Sequence, residues 1–171
     1  MFENLKKWSG SILLFPIGIW LIYNNGNFIP FVDHFTLLIH EGGHGIFHIF
    51  GSFIYILGGS LMQLIIAGLI VFYFYSNRKI PGVQISLLFL SENLLNISKY
   101  AADAQSRKLP LLGGNKVYHD WHFILGRMGI LEYDYLVGYF FVSLAVIFII
   151  SAMLAPLLPS EKDLKNIDLD L

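Results

Sequence analysis

An all-α, polytopic membrane protein is the fold class this sequence predicts, and three observations predict it. Of the 171 residues 56% are hydrophobic and only 13% charged, about half the charged share of an ordinary soluble domain. The apolar residues gather into five segments, 11–23, 28–50, 53–75, 80–97 and 135–157, which predict about five transmembrane helices. Short polar joints separate several of them, which favours antiparallel neighbours in a single membrane-embedded domain over residues 1–171.

The first segment follows Lys6 and Lys7 and superficially resembles a secretory leader. No small-x-small cleavage pattern follows it, so it reads as a retained anchor, short for a span and drawing length from its flanks. Asn24-Asn25-Gly26-Asn27 is a turn into the second segment, where Asp33-His34 marks the start of a helix. Gly51-Ser52 joins the second segment to the third, and Asn77-Arg78-Lys79 joins the third to the fourth. Residues 99–134 differ: Pro110, Gly113-Gly114 and mixed charges predict an extramembrane loop, with a short helix starting near Asp120 before the last span. The tail from Ser160 is polar and reads as a solvated or frayed tail, with a short surface helix capped by Ser160 and Asp163 as the alternative.

A net charge of −1 and a pI near 6.6 give no basic surface for nucleic acid. With no cysteine, disulfides, thiolate ligands and a cysteine nucleophile are excluded. If five spans alternate sides, a cytoplasmic N-terminus places Lys6, Lys7 and the five basic residues of 99–127 on one side, against Arg78, Lys79, Lys162 and Lys165 on the other. Seven against four favours that orientation.

Between residues 11 and 77 the only acidic or basic side chains besides histidine are Asp33 and Glu41. A carboxylate at membrane depth is costly and marks a functional position. Glu41 lies within His40-Glu41-Gly42-Gly43-His44, an HExxH pattern. Four residues apart on a helix, His40 and His44 share a face and can hold one zinc, while Glu41 can act as base toward a water on the metal. A zinc hydrolase needs a third protein ligand; Asp103, His119, Asp120, His122, His48 and His34 supply the candidates. Gly42, Gly43 and Gly45 suit close helix packing, with backbone access for an extended substrate as an alternative. His48 reads as an interior or interfacial histidine, and His119 and His122 as surface residues or as residues bonded to a ligand. Asp103 sits in a small-residue patch, Ala101, Ala102 and Ala104, that suggests tight packing; Asp120 suits the N-cap of its short helix. The abundant aromatics are lipid-facing and interfacial anchors.

Three stretches resemble the site-2 protease family of membrane-embedded zinc metalloproteases. His40 to His44 fits its HExxH, including a glycine before the second histidine. Gly58-Gly59-Ser60-Leu61-Met62-Gln63-Leu64-Ile65-Ile66-Ala67 is similar to its G-P-x-x-N helix start, with Ser60 at the proline and Gln63 at the asparagine position. Asp120-Trp121-His122-Phe123-Ile124-Leu125 is similar to the stretch around its aspartate ligand, with Trp121 in place of glycine. The resemblance implies a divergent member: zinc held by His40, His44 and Asp120, Glu41 as general base, and hydrolysis of a transmembrane protein or peptide in contact with membrane lipids. Asp103 and His119 are then the alternative ligand or supporting residues. A zinc hydrolase acting on a lipid ester or amide shares the same chemistry, and a non-catalytic regulatory protein of the same fold is the remaining alternative.

Overall fold

A computed structural model describes residues 2–110 and 119–159, and among them every regular element is helical. Six α-helices follow in order: α1 Phe2–Asn24, α2 Val32–Phe47, α3 Ser52–Ser76, α4 Ile80–Ala102, α5 Asp120–Met128 and α6 Asp134–Leu154. The expectations for Gly113-Gly114, Lys116, Ser160 and Asp163 lie outside the described residues. Four helical stretches, 5–24, 52–76, 80–102 and 131–157, are long and apolar enough to cross a membrane. This is an all-α polytopic membrane protein with a short helix before its last span.

The expected segments recur with two differences. α1 starts well before residue 11, taking in the polar flank that the short apolar run needed. α2 is shorter than the apolar segment 28–50, because Pro30 lacks an amide hydrogen and Phe31 is left-handed at φ 70°. At its far end a 3-10 turn, His48–Phe50, leads to Gly51, whose φ of 88° makes the joint to α3. With 16 residues, α2 spans about 24 Å, less than the hydrocarbon thickness of about 30 Å.

α4 is the central helix, with buried residues on all sides, and it packs most extensively on α6 and α3. Leu21, Ala67, Val83, Leu94, Leu95 and Ile149 meet in one core of α1, α3, α4 and α6. A second core of Ile97, Ala101, Ala104, Trp121, Ile124 and Leu125 seats α5 against the end of α4. In lipid, leaving the hydrocarbon gains little, so close packing holds such cores. Small residues allow it: a Cβ on Gly43 would lie 2.2 Å from the Gly58 carbonyl oxygen, so α2 and α3 touch backbone to backbone there. Gly42 and Gly45 meet nothing within 4 Å; of the three motif glycines, packing explains Gly43 alone. Large apolar side chains such as Leu13, Phe72 and Phe140 are exposed, as lipid-facing residues are.

Candidate metal centre

α2 buries one face, Asp33, Thr36, His40 and Gly43, at the three- and four-residue spacing of a helix. One turn beyond His40, the His44 ring meets the His40 ring edge to face with centroids 4.8 Å apart. Asp120, in the first turn of α5, reaches both: its Oδ2 lies 2.9 Å from His40 Nε2 and 3.3 Å from His44 Nε2. One potential ligand atom from each of the three residues lies within 4.8 Å of the others.

The second nitrogen of each ring is held. His44 Nδ1 is 2.8 Å from the Tyr55 carbonyl oxygen, which only accepts, so that nitrogen carries a hydrogen. His40 Nδ1 lies 3.0 Å from Gln63 Oε1, which orients this ring in the same sense. In a neutral imidazole anchored this way, Nε2 presents a lone pair, here aimed at a carboxylate oxygen. Lone pairs facing one another at about this distance repel, so the arrangement needs positive charge among the three atoms, from protons on the rings or from one divalent cation. Two imidazole nitrogens and one carboxylate oxygen are a donor set suited to zinc with an open fourth position, and ring N–H groups bonded to backbone or side-chain oxygens are the usual support of such ligands. The residues fit the metal.

Local structure fixes each part. Gly59 makes room for the His40 ring, since a Cβ there would lie 2.4 Å from Nε2. α5 is seated by Trp121, whose indole N–H donates to Ser60 Oγ at 3.2 Å and whose ring packs on Phe141. The Asp120 amide donates to the Tyr100 hydroxyl at 3.1 Å. His119, not Asp120, is the N-cap: its Nδ1 accepts from the His122 amide at 3.2 Å, leaving Asp120 in the first turn with its carboxylate free to face α2. Gly129, left-handed at φ 72°, ends the helix. Burial opposes ionisation of Asp120, but hydrogen bonds and charge at His40 and His44 outweigh it and hold the carboxyl below its ordinary range.

The other candidates fall elsewhere. Glu41 is exposed beside His40, within electrostatic reach of His44 and Tyr100. Asp103 ends α4 and clamps the loop that follows: it accepts from the Ser106 hydroxyl and from the amides of Lys108 and Leu109, both at 2.9 Å. Burial raises its pKa, and these bonds with the nearby His119 lower it further than burial raises it. His119 is buried rather than on the surface, with Nε2 3.4 Å from Asp103 and its ring 4.3 Å from that of Tyr100. Burial depresses its pKa against the pull of Asp103. His122 donates to the Ala104 carbonyl. His48 is exposed, not interior, because the 3-10 turn swings it outward to bond Gly45 O. His34 is exposed against Phe28.

Tyr100 and the Tyr55 carbonyl were not legible as site groups. Neither belongs to a spacing pattern. Gln63 carried a signal, as a lone amide within an apolar span. No protein-family model, no curated protein and no solved structure matches this chain.

Proposed function

We propose that the chain is an intramembrane zinc metallopeptidase of the site-2 protease type, cleaving peptide bonds in or near transmembrane segments of other proteins. The observation that supports this reading most is the convergence of His40 Nε2, His44 Nε2 and Asp120 Oδ2 with the outer ring nitrogens anchored to Gln63 and Tyr55. Zinc bound there would polarise a substrate carbonyl and acidify a water. Gln63 and Tyr55 hold the imidazoles in the ligating orientation, and Trp121 and Tyr100 hold Asp120 against them. Glu41 takes the proton of the attacking water and returns it to the leaving nitrogen. Beside Glu41, Gly42 and Gly45 leave the surface of α2 open, which suits an extended backbone lying against it.

Two of the three departures from the family pattern meet in space. Ser60, where the family has proline, and Trp121, where it has glycine, bond one another, so the substitutions act as one joint between α3 and α5.

Metal analysis and hydrolysis assays of purified protein test the reading. About one zinc per chain is expected, lost in His44→Ala. Glu41→Gln is expected to keep the metal and cut peptide hydrolysis roughly a hundredfold or more. Full zinc retention in His44→Ala would reject the site; turnover of lipid esters with none of helical peptides would reject the peptidase.

A further inference from the structure

Two turns before His40, the buried face of α2 carries Asp33, and across from it near the middle of α4 stands Glu92. Both are at least nine-tenths buried, at 6% and 5% exposure, and a single amide, that of Asn96, bonds a carboxyl oxygen of each. α2 packs along α3; side chains carry its tie to α4, with Asn96 Nδ2 bridging Asp33 Oδ1 at 2.7 Å and Glu92 Oε1.

The two acids are supplied unequally. Asp33 receives two donors, Asn96 on Oδ1 and the Ile29 amide on Oδ2. Glu92 receives Asn96 on Oε1, while its Oε2 is buried with no donor. No cation faces them among the described residues. Lys99, further along α4, bonds Asn27 at 2.5 Å. Two bare carboxylates cannot both stay ionised at such a place. Asn96 turns its N–H2 toward both acids, which favours a proton over a metal cation between them.

We propose that Asp33 and Glu92 form an intramembrane proton-binding site, in which a hydrogen on Glu92 Oε2 is donated to the Asp33 carboxylate. The pair carries one negative charge instead of two, and the orphaned oxygen becomes a donor. The bond fastens the start of α2 to α4, two helical turns from His40. It does not depend on the metal or on any hydrolytic activity.

Infrared spectroscopy of the full-length protein in lipid nanodiscs tests it at neutral pH. A carboxylic-acid C=O band is expected in the wild type, shifted by deuterium oxide and by 13C-labelling of glutamate, and lost in Glu92→Gln. Asp33→Asn is expected to move the band, because the acceptor changes from an anion to an amide. The labelling needs no substitution, so it decides the matter even if a variant fails to fold. A spectrum without the band, a band blind to glutamate labelling or unmoved by Asp33→Asn, or a band that emerges only when sodium is withdrawn would overturn the proposal.

Discussion

Gly59→Ala is the sharpest test of how the backbone makes the metal centre. A Cβ at this position would lie 2.4 Å from His40 Nε2, 2.6 Å from Cε1 and 2.7 Å from Cδ2. Ordinary contact begins near 3.4 Å, so the ring must retreat by about 1 Å, whereas metal–ligand distances tolerate about 0.2 Å. The atoms displaced are the free end of a side chain, so α3 keeps its path and the helix bundle survives. Ligation does not. Zinc affinity is expected to fall about a hundredfold, equivalent to about 2.7 kcal/mol. Gly42→Ala is the matched control: its Cβ meets nothing within 4 Å, so zinc affinity is unchanged and the helix gains up to about 1 kcal/mol. Competition titration with a fluorescent chelator, on protein whose helicity is checked by circular dichroism, measures both. Wild-type affinity in Gly59→Ala would refute the reasoning.

The two aspartates separate by the same titration. Asp120→Ala is expected to abolish tight zinc binding, while Asp103→Ala, which loosens the loop behind His119, costs at most about 10- to 100-fold; the opposite ranking would move the third ligand to Asp103. The Asp103 clamp also has a pH signature. Its carboxyl is held below the ordinary aspartate value in the folded protein, so its contribution is present above the unfolded pKa and lost as pH falls through the lowered folded one. Hydrogen exchange at the Lys108 and Leu109 amides, corrected for its intrinsic pH dependence, is expected to lose protection in that acid window and in Asp103→Asn at neutral pH; protection that persists in both would show that the carboxylate does not hold the loop.

Much of this molecule is written locally along the chain. Hydrocarbon length and apolar continuity determine where the long helices lie, and a four-residue spacing places His40 and His44 on one helical face wherever that helix packs. Local chemistry also decides details that apolar patterning misses: Pro30 and a left-handed Phe31 delay α2, and a 3-10 turn puts His48 outside. The third corner of the site is another matter. Asp120 reaches the histidines because Trp121 seats α5 on Ser60, and His119 takes the capping role expected of Asp120.

The anchoring of the ring nitrogens by Gln63 and the Tyr55 carbonyl, and the meeting of Asp33 with Glu92, likewise exist only once α2, α3 and α4 are packed. Glu92 stood in an apolar segment with no motif around it, and nothing local distinguishes a buried acid that faces another acid from one that faces water. Periodicity and desolvation act within a helix and can be read from sequence. Which side chains meet across helices is decided by where glycines such as Gly43 and Gly58 let the backbones approach and where Gly59 leaves room for a ring, and that is a property of the packed bundle.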